Sequence, residues 1–142
     1  MTAFERMLAG TPLAQGMNLR QVSGDPLELV ADFDPCRNQL DVAFGGALAA
    51  GMALAGWVFF ATQAEAALDG PQNPLLGKAS QRFLKPFAQP LVRFQVDPVD
   101  EGTRREWQAT WARGERVRAT MVARVIDEAG VTYAQAELHF VL

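Results

Sequence analysis

The chain has 142 residues, 49% of them hydrophobic and 20% charged, with a formal net charge of −3. That balance excludes a basic nucleic-acid surface and supplies no electrostatic attraction to an anionic membrane. A single cysteine, Cys36, and a single histidine, His139, exclude an internal disulfide and leave no set of zinc ligands, so neither a metal nor another cofactor is expected.

The length suits one domain, residues 1–142. The opening segment carries Glu5 and Arg6 within "MTAFERMLAG", too polar for a signal-peptide core. Together with the unpaired cysteine this points to a reducing, cytoplasmic setting. "FERMLAGTPLAQGM" reads as a short helix broken near Pro12. "DPLELVADF" places Leu27, Leu29, Ala31 and Phe33 on one face and predicts a first strand.

From Val42 to Ala61 there is no charged or strongly polar side chain, which predicts a long helix over 42–62. Twenty helical residues cover about 30 Å, enough to cross a bilayer. Much of the run is Ala and Gly, however, and Lys and Arg do not cluster on either flank. Phe44, Leu48, Met52, Ala55 and Phe59 form one stripe at helical spacing, and Gly45, Ala49, Ala53 and Gly56 form a smooth one beside it. Glycine inside a helix costs up to about 1 kcal/mol against alanine, so the smooth side implies close packing, here on a sheet.

The rest of the chain supplies that sheet. After the Pro- and Gly-rich "LDGPQNPLLG", a strand beginning near Leu75 ends at "QRFLKP". Period-two alternation then predicts strands in "LVRFQV", "TRREWQATWARG", "RVRATMVARVI" and "VTYAQAELHFVL". Short turns between them imply antiparallel neighbours. One face is apolar and the other rich in arginine, which predicts an α+β fold: a curved antiparallel sheet around one buried helix.

Asn38, "AFGGAL" (43–48), "LAGW" (54–57) and "RFLKP" (82–86) carry a resemblance. In order and spacing the chain resembles the hotdog fold, and within it the thioesterases of the YiiD C-terminal type. The resemblance implies a homodimer or tetramer, an acyl thioester substrate on coenzyme A or acyl carrier protein, and a site at the subunit interface. It also implies a point of departure. Many thioesterases of this fold have a histidine where this chain has Phe44, and an acid about two turns into the helix; residues 42–62 contain neither.

Thioester hydrolysis requires oxyanion stabilisation and water activation. The first is assigned to the amides of Gly45 or Gly46 at the helix start, where unpaired N–H groups and the helix dipole favour a developing negative charge. The same glycines also fit a purely packing role. For the second, Asp41 suits either a general base or a helix N-cap. Asn38 suits either a water or carbonyl ligand or a loop amide. Phe44 and Ser80 are assigned to substrate binding, and Arg82 and Lys85 to the phosphates of coenzyme A; on strand ends such cations also serve simply as a solvated face. The competing reading is a non-catalytic acyl-thioester binder or a structural dimer.

Overall fold

The computed structural model describes residues 1–142. Two short helices, α1 (Ala3–Gly10) and α2 (Pro12–Gly16), precede a hairpin of β1 (Arg20–Gly24) and β2 (Leu27–Asp32). A helical turn, α3 (Phe33–Cys36), leads to the central helix α4 (Gly45–Ala67). Then come β3 (Leu75–Phe83), β4 (Leu91–Val96), α5 (Glu101–Ala112), β5 (Arg118–Ile126) and β6 (Thr132–Val141). The strands form one antiparallel sheet in the order β1-β2-β4-β5-β6-β3.

The N-terminal break falls as its residues dictate. Thr2 and Glu5 form a reciprocal capping box that starts α1, and Pro12 stands at the first position of α2, where its missing N–H costs nothing.

Helix α4 is long and apolar enough to cross a membrane, yet ten of its residues are buried, and its neighbours are strands. Of the stripe read from the spacing, Leu48, Met52, Ala55 and Phe59 are buried, whereas Phe44 stands at the N-cap and is 58% exposed. The smooth stripe is placed differently from expectation. Only Gly56 on it is buried, against Leu138 and Phe140, while Gly45, Ala49 and Ala53 remain half-exposed. Close approach to the sheet is made both by Gly56 and by Gly51, which lies off that stripe and where an added Cβ would stand 2.1 Å from the Phe94 ring.

The strand predicted in 103–114 is a helix, α5. Trp107 and Trp111 satisfy a period of two, but they also stand four apart, one above the other on a helix. Ala109, which a strand would bury between them, is exposed. Asp100 caps the helix by accepting from the Thr103 N–H at 2.6 Å. Both indoles pack on Phe60, Trp107 edge-on at 5.1 Å and Trp111 at 5.5 Å between ring centres. Four strands rather than five therefore follow α4. The sixth strand is β1, which sequence patterning missed because it is largely exposed and shows no apolar alternation.

Two arginines of the outer face are matched, while Arg82 and Arg118 have no carboxylate partner. Arg93 pairs with Glu28 at 2.9 Å and Arg124 with Asp97 at 2.8 Å. Thirty-one buried residues form one apolar cluster between the inner face and α4. β3 is the outermost strand on its side, bonded only to β6, and eight of its nine residues are exposed.

Candidate functional site

The start of α4 is built by a loop, 37–44, held from two sides. The Phe44 N–H donates to the Cys36 carbonyl at 2.6 Å, and the Ala43 N–H donates to the Phe87 carbonyl at 2.8 Å. Within the loop Asn38 accepts the Leu40 N–H on Oδ1 at 2.9 Å, and its own N–H donates to the Val42 carbonyl at 2.8 Å. This is an Asx-type turn. It occupies the amide oxygen of Asn38 and leaves the Nδ2 donors without a partner in the chain.

Asp41 sits in the left-handed region at φ 58°, a conformation Asp tolerates better than most residues. It is not the N-cap. That position belongs to Phe44, whose side chain offers no capping oxygen. The helix starts three residues later than its apolar run because Ala43 is paired in an extended bridge with Arg37. The Asp41 carboxylate is exposed and accepts from Arg37 Nη1 at 3.3 Å, while Arg37 Nε donates to Asp34 at 3.1 Å.

An uncapped helix start leaves donors open. The Ala47 and Leu48 N–H groups both donate to the Phe44 carbonyl. The acceptors that Gly45 and Gly46 would need lie before the helix, and no group in the chain takes their N–H. Two phenyl rings flank these amides. An added Cβ at Gly46 would meet the Phe44 ring at 2.4 Å, and one at Gly45 would meet the Phe83 ring at 3.6 Å. Phe44 and Phe83 are 58% and 54% exposed, as are Leu40 and Leu84 nearby in sequence at 72% and 55%, so the helix mouth is an uncovered apolar surface rather than a closed cavity. None of the main surface hollows of the chain is lined by Gly45 or Gly46.

Asn38, Asp41, Phe44, Gly45 and Gly46 are thus brought together. Ser80 and Arg82 are not among them. Their cross-strand partners are Glu137 and Gln135, and both lie on the outer face, where they share a hollow with those residues. The residues between and beside them, Gln81 and Phe83, lie on the face of β6's Ala136 and Ala134, toward α4. Lys85 follows in the next turn, its Nζ 4.9 Å from the centre of the Tyr133 ring. Sequence reading passed over Phe83, although its place between Arg82 and Leu84 in a strand put it on the opposite face from Arg82.

Cys36 is buried, and burial pushes its thiol above the usual range, so it does not supply a nucleophile. α4 runs past the predicted end to Ala67 and includes one acid, Glu65. That carboxylate is about 30 Å of helix from Gly45 and is bound to Arg6 at 2.5 Å and to the Gln72 N–H. It does not replace the acid missing from the first turns.

The family model described as "Putative thioesterase (yiiD_Cterm)" matches residues 3–142. The chain belongs to this thioesterase family. A sequence comparison with curated proteins found no match. Among solved structures, the putative thioesterase from Shewanella oneidensis superposes with a TM-score of 0.83 at 20% identity, covering 98% of this chain and 93% of its own. A Pseudomonas aeruginosa protein described as a probable thioesterase gives 0.75 at 18% identity, covering 98% and 91%. A Bacillus halodurans protein determined with CoA gives 0.67 at 19% identity, covering 99% and 86%. At these identities the likeness concerns the fold, and it makes this family member a hotdog protein.

Proposed function

We propose that this domain, residues 1–142, is an acyl-thioester hydrolase acting on an acyl group carried by coenzyme A or acyl carrier protein. One observation carries the reading: the N–H groups of Gly45 and Gly46, a half-exposed and an exposed residue, are unpaired and framed by the apolar rings of Phe44 and Phe83. An acyl chain packs on the rings while its carbonyl oxygen accepts from the amides. Asp41 then takes a proton from water as the water oxygen attacks the carbonyl carbon. The tetrahedral oxyanion is held by the amides and the helix dipole. It collapses with cleavage of the C–S bond, releasing the carboxylic acid and the thiol, which regains the proton. The Nδ2 donors of Asn38 orient the water or the carbonyl.

The acting unit is a homodimer joined along the free edge of β3, which is where an uncovered strand and the exposed Leu75, Leu76 and Phe83 coincide. Pairing there sets a second chain beside the helix mouth and turns an open apolar surface into a cleft. Ser80 and Arg82 stay on the outer face of the extended sheet in both protomers, so the cation brought to the rim to meet the phosphates of the carrier is Lys85, in the turn after β3. Cys36, buried and unpaired, suits a cytoplasmic setting.

Release of free thiol from a panel of acyl-CoA substrates tests the proposal. Asp41→Asn is expected to lower turnover by about 10²–10⁴-fold, the usual worth of a positioned acid or base, with folding and association unchanged. Asn38→Ala lowers it less, and unchanged rates in both variants remove this assignment. A second reading, a non-catalytic acyl-thioester binder, draws on the absence of an acid in the first turns of α4. It requires saturable acyl-CoA binding with no thiol released.

A further inference from the structure

The outer face of the sheet holds a second set of chemically active side chains, remote from the helix mouth. A hollow of about 330 Å³ is lined by Gly77, Lys78, Arg118, Thr120 and His139 among others. Strand register assembles it. The ladder between β3 and β6 shifts at Gly77, and Lys78 then faces out directly opposite His139. On the other side of β6, His139 is opposite Thr120, with Arg118 two residues further along the same face. Strands stand about 4.8 Å apart, so Lys78 and Arg118 flank His139 within reach of one small ligand.

The charges here are not balanced within the chain. Elsewhere on this face Arg93 and Arg124 have carboxylate partners, but Lys78 and Arg118 have none. The hollow's neighbouring acid, Glu137, is engaged by His139, whose Nε2 lies 3.0 Å from its Oε1. With His139 neutral or protonated, Lys78, Arg118, Glu137 and His139 sum to a positive charge.

The hydrogen bonds give the site a proton linkage. Glu137 is an acceptor, so the Nε2 of His139 carries the hydrogen, and in the neutral ring Nδ1 accepts from the Thr120 hydroxyl at 3.0 Å. When the ring takes up a proton, Nδ1–H donates to Thr120 Oγ1. The hydroxyl hydrogen is then released to donate outward, toward an oxygen lying between Lys78 and Arg118.

We propose that the Lys78–Arg118–Thr120–His139 hollow binds a phosphate-type dianion, with proton uptake by His139 on binding. Two cations and a hydroxyl that turns donor match a tetrahedral oxyanion, and Arg118 supplies the planar fork suited to it. The site is on the opposite face of the sheet from α4, and it stands or falls independently of the hydrolase reading.

Calorimetric titration of the whole chain with inorganic phosphate, in two buffers of different ionisation enthalpy at the same pH, tests this. Saturable binding is expected, with heats that differ between buffers as a proton is taken up. Amide signals of Thr120 and His139 move in parallel in NMR spectra. Lys78→Ala and Arg118→Ala each weaken binding by roughly tenfold, the worth of an exposed charge-assisted bond. His139→Gln still binds but takes up fewer protons than the unaltered chain, read as a change in the buffer-dependent part of the heat, since the ionisation of phosphate itself contributes equally to both. A parallel titration with adenosine monophosphate distinguishes the source of the phosphate: tighter binding at the same residues assigns a phosphate ester, equal binding assigns the free ion. Absence of saturable heat, affinity unchanged in both cation variants, or two ligands that fail to compete overturns the proposal.

Discussion

The same substitution, glycine to alanine, has opposite consequences at two positions of α4. At Gly51 the new Cβ would stand 2.1 Å from Phe94 Cζ, and Phe94 is fully buried, so its ring has no solvent to move into. Gly51→Ala is expected to cost about 1–3 kcal/mol or more through overpacking, read as a lower melting temperature. At Gly46 the clash is with Phe44 Cε1 at 2.4 Å, but that ring is 58% exposed and swings into solvent. Helix propensity favours alanine there by up to about 1 kcal/mol, so Gly46→Ala leaves stability near its starting value. Its cost falls on thiol release, because the displaced ring and the new methyl crowd the open amides. Equal losses of stability at both positions would contradict the geometry. The glycine pair, Asn38 and Asp41 were legible as site candidates because loop and helix-start chemistry is local. The place of Phe83 over Gly45 was not, because it depends on how closely β3 passes a helix start 38 residues earlier in the chain.

At the scale of elements, α5 shows how a pattern of two tryptophans four apart serves either period. Tertiary contact with Phe60 decides for the helix, and the capping Asp100 fixes its start. Trp111→Ala removes an indole that is 5% exposed and a hydrogen bond from its Nε1 to the Leu142 carbonyl at 3.0 Å. A loss of about 3–5 kcal/mol is expected in denaturant unfolding. Ala109→Glu, on the solvent side of the same helix, is expected to leave the midpoint within about 0.5 kcal/mol of its value. A large loss at Ala109 would restore the strand reading. β1 escaped detection for the complementary reason: an exposed edge strand needs no apolar alternation, since its backbone bonds to β2 hold it.

For the whole molecule, two measurements report on charge and on association. Three carboxyls are held below their usual range: Asp32 by hydrogen bonds from Asn18 and Arg20, Asp100 by the Thr103 backbone and side chain, and Asp127 chiefly by the Val131 N–H. Each keeps its charge to lower pH when folded than when unfolded. Their stabilisation is therefore complete above the ordinary carboxylate range, near pH 4, and is lost as pH falls through the lowered values. The melting temperature should be level above about pH 5 and decline below about pH 4; constancy down to pH 2 would contradict this. Association rests on the proposed edge-to-edge pairing of β3. Leu76→Glu, at a residue 41% exposed on that edge, is expected to shift sedimentation from dimer to monomer. Unchanged sedimentation would move the interface elsewhere.

The sequence by itself determined the layer arrangement: several period-two segments with one apolar face make a sheet even though one of them, 103–114, folds as α5, and a twenty-residue uncharged helix is buried against it. It also determined the family, through residues 43–48 and 54–57 among others. Only the tertiary structure decided which side of α4 meets the sheet, since Gly51 and the buried stripe compete with an equally smooth side for that contact. It alone separated Ser80 and Arg82 from the helix mouth and set Lys78 beside His139, because strand faces follow from register and one bulge at Gly77 resets them. Periodicity is a property of neighbours along the chain, whereas register and the choice between two packable faces are properties of partners across it.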